Sequence, residues 1–135
     1  MNVVDVAVKA LLVAYYSVAT TDYIEQYVPE AYPALCAEPT GFSAEPRMVN
    51  ASKSRNSFDC TYYLIDLYAS KTTEAFQTTV EAAVAALIAS RSLNSTALDF
   101  SIAVQYKNML PVNANESDIQ AEEHIAKITI TGTIL

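Results

Sequence analysis

Six apolar residues on one stretch, Phe76, Val80, Ala83, Val84, Leu87 and Ile88, recur at spacings of three and four. This spacing places them on one stripe of a helix over about Thr73 to Ser90. Ser70 or Thr72 can cap its start by accepting an orphan backbone N–H. Glu74 and Glu81 lie towards the positive end of the helix dipole and Arg91 at the negative end. A helix with one greasy stripe must lie on something, and the flanking segments supply it. Phe58–Tyr68 is rich in Tyr, Leu and Ile. Leu98, Phe100, Ile102, Val104 and Tyr106 alternate with Asp99, Ser101, Ala103 and Gln105, the period of a half-buried strand. Strand, capped helix and strand between Phe58 and Tyr106 therefore form the expected core.

At 135 residues the chain is expected to be one domain, residues 1–135, large enough for a core without covalent staples. Only 17% of its residues are charged, below the usual level of about 25%, while 52% are hydrophobic. With nine tyrosines and many Ala, Ser and Thr, much of the exterior reads as neutral and adhesive, which favours an oligomer. A net charge of −7 argues against binding nucleic acid through its phosphates, and an acidic surface would repel DNA.

Before the core, Val4, Val8, Leu11, Leu12 and Tyr15 mark a helix over about Val3 to Tyr16, ended by the polar cluster Ser17–Asp22. Two short extended pieces follow, Tyr23–Val28 and Tyr32–Ala37, where Pro29 and Pro33 suit edges and turns. Glu38–Ser57 has no period and reads as a long loop. It carries Arg47, Lys53 and Arg55, three of the eight basic residues, and is open to two readings, a solvated excursion or an interaction arm. A second loop, Lys107–Gln120, leads to a last strand, Glu122–Ile134. There Ala126, Ile128, Ile130 and Ile134 alternate with Lys127, Thr129, Thr131 and Thr133. The expected architecture is α+β: two helices on a mostly antiparallel sheet, in the order α-β-β-(long loop)-β-α-β-β.

Chemistry is sparse. The lone histidine, His124, stands beside Glu122 and Glu123. Glu122 and His124 would share a strand face, but no third metal ligand is identifiable, so His124 reads as the surface start of a strand. Gly41 and Gly132 are the only glycines, so no phosphate-binding glycine loop is possible. Asp59 and Asp66 have odd spacing on one strand and so face opposite sides. Cys36 and Cys60 lie in strand-like runs without a metal-binding pattern and read as buried free thiols. The N-terminal apolar run carries Asp5 and Lys9 and is too short to span a bilayer, so no membrane association is expected. The expectation is a protein without catalytic, metal or cofactor residues.

In its order of elements the chain resembles the tail terminator proteins of long-tailed bacteriophages. The resemblance is carried by the N-terminal helix and the segment Tyr32-Pro33-Ala34-Leu35-Cys36-Ala37. It continues through the loop Glu38–Ser57, the long strand Phe58–Ala69, the helix Thr73–Ser90 and a closing hairpin of Leu98–Tyr106 with Glu122–Ile134. Length, low charge and acidic balance agree, whereas the extended tip Lys107–Gln120 departs from the pattern. The resemblance implies a homohexameric ring in the virion, assembled in the host cytoplasm. Such a ring caps the finished tail tube and joins it to the head–tail connector or stopper protein, with DNA passing through the lumen unbound. The alternatives are another neck or tail-tube component, or a small-molecule-binding α+β domain or enzyme acting through His124. Candidate interface residues are Arg47, Lys53 and Arg55 in the first loop, Asn108 and Met109 in the second, and Lys127 on the last strand.

Overall fold

The computed structural model describes residues 3–20, 31–38, 41–46, 54–67, 72–109 and 123–134. Helix α1 (Val3–Leu12) runs into a single 3-10 turn at Val13–Tyr15. Strands β1 (Val18–Thr20), β2 (Ala34–Ala37), β3 (Gly41–Pro46) and β4 (Ser54–Leu67) follow. Helix α2 (Thr73–Ala89) then leads to β5 (Ala97–Met109) and β6 (Glu123–Ile134). The expected α+β class holds, with both helices on a six-stranded sheet whose pairings are antiparallel except that of β1 with β2.

Two elements depart from the sequence reading. The expected loop Glu38–Ser57 contains β3 and the start of β4, which pair antiparallel from Gly41 opposite Asp59 to Pro46 opposite Ser54. The expected end of the first helix, Ser17–Asp22, contains β1, which pairs parallel to β2. The expected strand Tyr23–Val28 and most of the expected loop Lys107–Gln120 lie outside the described residues, while Lys107, Asn108 and Met109 belong to β5.

Strand β4 is the spine. One of its edges is shared by β3 and β2, and the other pairs with β6 from Ser57 opposite Thr133 to Leu67 opposite Glu123. Alternation then divides the residues between two faces. Phe58, Cys60, Tyr62 and Leu64 of β4, with Ala126, Ile128 and Ile130 of β6, pack against Val4, Val8 and Leu12 of α1 and Phe76, Val80, Ala83 and Leu87 of α2. On the other face Cys36, Tyr63, Ile65 and Ile125 form a smaller buried cluster. The two cysteines, both buried, thus occupy opposite faces. Burial, with Glu123 nearby, pushes the Cys36 thiol up to about 11.

Local chemistry fixes both helices. The Thr72 hydroxyl accepts the Ala75 N–H at 3.1 Å, the capping role expected of it, while the alternative cap Ser70 lies outside the described residues. Helix α1 is tied to the sheet where the Tyr62 hydroxyl donates to Asp5 Oδ1 at 2.9 Å, and Asp5 also pairs with Lys9 at 3.1 Å. Burial, followed by neighbouring Cys60 and Asp5, pushes the Tyr62 hydroxyl far above its ordinary value. After α2 the chain reverses through Leu93, Asn94 and Ser95, at φ of 46, 55 and 65°. Such left-handed residues are costly without glycine, and here the buried Leu93 side chain and the N–H groups of Thr96 and Ala97, both donating to Ser92 O, offset the cost.

Candidate functional site

Strand β5 is where the fold leaves most unfinished. Its 13 residues pair on one side with β6, and it ends the strand order β1-β2-β4-β6-β5. Its other edge has no strand partner among the described residues. The apolar alternation predicted for it is present, but it is less covered than expected: Phe100 and Ile102 are half-buried, while Leu98, Val104 and Tyr106 are 59, 36 and 39% exposed. The reason is position. A strand at the sheet's margin extends beyond the helix layer, and a long apolar edge of this kind invites pairing with another chain.

Helix α2 makes the inner wall of the same region. Phe76, Val80, Ala83 and Leu87 are buried at spacings of four, three and four. Ile88, expected on this stripe, is instead 58% exposed. One residue further round the helix, it leaves the narrow seam and points with Val84 towards β5. Val84, Ile88, Leu98, Phe100 and Ile102 then line an open groove of about 440 Å³, bordered by Arg91 and Asp99.

A second apolar surface lies on α1. Its inner face buries Val4, Ala7, Val8 and Leu12, yet Val3, Val6 and Val13 along the outer side are 59, 47 and 63% exposed. Ala10 and Ala14 continue that ridge and are also exposed. A helix apolar on both sides is ordinarily covered on both.

On the sheet face away from the helices, a trough of about 730 Å³ spans β3 to β5. It is lined by Gly41, Phe42, Asp59, Asp99, Ser101, Thr131 and neighbouring residues. Asp99 Oδ1 accepts the Thr133 N–H at 3.1 Å, and the Ser101 and Thr131 hydroxyls share a hydrogen bond at 3.0 Å. The carboxylates of Asp59 and Asp99 give this trough an acidic character that disfavours phosphate. Among the described residues, no three His, Cys, Asp or Glu side chains are grouped to hold a metal.

His124 is a correction. Read as the surface start of a strand, it is fully buried. Its ring stacks on Phe76 with centroids 5.0 Å apart at 16°, while Tyr106 meets Phe76 edge-on at 6.4 Å. In register it lies between Asp66 of β4 and Asn108 of β5. Asp66 is buried, whereas Asp59 is exposed on the other face, as their odd spacing predicted. The cavity beside the imidazole, lined by Thr73, Gln77 and Lys107 among others, holds about 80 Å³, a space for little more than water.

The six sequence-derived interface residues do not gather at one place. Arg47 and Lys53 lie outside the described residues, as does Glu122. Arg55 stands in β4 opposite Glu45 of β3, and Met109 in β5 opposite Glu123. Asn108 is in register with His124. Lys127 is half-buried in a central strand, between Tyr63 and Gln105, rather than at an edge. The groove was missed as a site although its apolar residues were all read as such, because the order of strands in the sheet was not known; the ridge residues Val3, Val6 and Val13 fell outside the stripe read for the first helix. No protein-family model matches the chain, and no curated protein matches it in sequence.

Proposed function

We propose that the chain is a structural assembly protein, one subunit of a ring that caps the tail tube of a long-tailed phage. The observation that carries this reading is the β5 edge, without a strand partner among the described residues, with its apolar groove, in a chain of which only 17% of residues are charged. Such an edge is a liability in a monomer and a joint in an assembly. The exposed α1 ridge supplies a second joint on the same chain, as repeated contacts around a ring require. The acidic, hydroxyl-lined trough suits a particle that DNA must pass without sticking. The tube end as the place of assembly comes from the resemblance in element order.

Electron micrographs of the purified protein, alone and mixed with tail tubes, test the reading. Sixfold rings that sit at tube ends and stop further growth are expected. Protein incorporated along the tubes would instead indicate a tube component. A monomer that ignores tubes would overturn the proposal.

A further inference from the structure

We propose that the outer ridge of α1 in one copy seats in the α2–β5 groove of a second copy, so that the chain assembles head to tail. The choice of a second copy as occupant rests on the ring-forming reading above. Four observations specify the contact itself.

The first is shape. The ridge, Val3, Val6, Ala10 and Val13, is convex, and the groove between Ile88 and Leu98 is concave. Ridge against ridge or groove against groove would leave the groove unfilled, so the complementary contact is heterologous. The second is length. Val3 to Val13 spans about 15 Å along a helix, and Leu98 to Ile102 spans about 14 Å along a strand.

The third is charge. The centres of both patches are uncharged, so docking desolvates no ion. At the rim of the groove Arg91 and Asp99 bring one cation and one anion, and on the flank of α1 Asp5 and Lys9 already neutralise each other at 3.1 Å. The contact therefore adds no like-charge excess to a chain carrying −7. The fourth is layering. Within one copy α1 and α2 cover the inner sheet but leave Phe100 and Ile102 of β5 only half-buried; a helix from the next copy would complete that layer over them.

Two double variants test the contact: Val6→Asp with Val13→Asp spoils the ridge, and Ile88→Asp with Leu98→Asp spoils the groove. All four positions are about half exposed or more, so the fold should survive, checked by circular dichroism melting. Serine at the same positions serves if an aspartate variant does not fold. By sedimentation equilibrium, each variant alone should self-associate roughly thirtyfold more weakly than wild type, or worse. An equimolar mixture should recover a one-to-one heterodimer, because each partner retains the patch that the other lacks. A mixture that stays monomeric, or either variant assembling like wild type, overturns the proposal.

The two readings fail separately. Wild-type rings that survive both variants refute this contact and leave the ring reading intact. Head-to-tail oligomers that never cap tubes uphold the contact and refute the tail reading. Wild-type protein that stays monomeric at every concentration refutes both.

Discussion

Gly132 sits opposite Phe58 of β4 and Phe100 of β5, where a Cβ would fall on the Asp99 carbonyl oxygen and 2.9 Å from Phe100 Cα. Those atoms are backbone, held along the whole β5–β6 ladder, and they cannot step aside. Gly132→Ala should therefore cost about 1–3 kcal/mol, read as a lower urea midpoint at unchanged slope. At Gly41 the added Cβ would meet only the carboxylate of Asp59, an exposed side chain that can rotate away. Gly41→Ala should cost less than about 1 kcal/mol, and equal costs at the two positions would contradict this steric account. Neither requirement was legible in the sequence, because each comes from a neighbouring strand. The burial of His124 was legible. Counting back in twos from Ile130 through Ile128 and Ala126 reaches it on the same face. The adjacent Glu122 and Glu123 pointed to a surface site, and that local cue was weaker than the periodicity.

Helix α2 shows at the scale of an element what periodicity can and cannot give. Phe76, Val80, Ala83 and Leu87 were identifiable from spacing alone, and so was the cap at Thr72. The width of the buried stripe was not, since it depends on how far the sheet extends beneath the helix; this is why Ile88 emerges into the groove. Strand β3 was illegible for a related reason. Gly-Phe-Ser-Ala-Glu-Pro carries little apolar alternation, and its pairing with β4 makes it a strand. The contrast between the two sides of α2 gives a stability prediction. Leu87→Ala removes a fully buried side chain and should cost about 2–5 kcal/mol. Thr78 is exposed and donates its hydroxyl to Glu74 O at 2.9 Å, a bond of little net worth within a helix. Thr78→Ala should lie within about 0.5 kcal/mol of wild type by denaturant titration. Similar losses at both sites would mean that α2 is enclosed on all sides, inside an assembly rather than at its surface.

For the whole molecule, charge and apolar surface act in opposite directions, and their balance sets how assembly responds to salt. Each copy brings a net charge of −7, so copies repel one another at long range. Ridge and groove, in contrast, meet through Val3, Val6, Val13, Ile88 and Leu98, none of which carries charge. Raising ionic strength shortens the reach of the repulsion, to about 10 Å at 0.1 M, and leaves the apolar contact intact or strengthens it. Self-association measured by sedimentation should therefore tighten between roughly 0.02 and 0.5 M sodium chloride. A contact made instead by Arg47, Lys53 and Arg55 against a neighbour's acids would have the opposite salt dependence, because screening weakens ion pairs at an exposed interface. The sign of the salt effect thus separates the two kinds of joint. Arg47→Glu with Arg55→Glu completes the separation: it should leave assembly at 0.5 M salt unchanged if ridge and groove hold the copies together. Assembly that loosens with salt and fails in that variant would move the joint to the basic segment and leave the β5 groove to another partner.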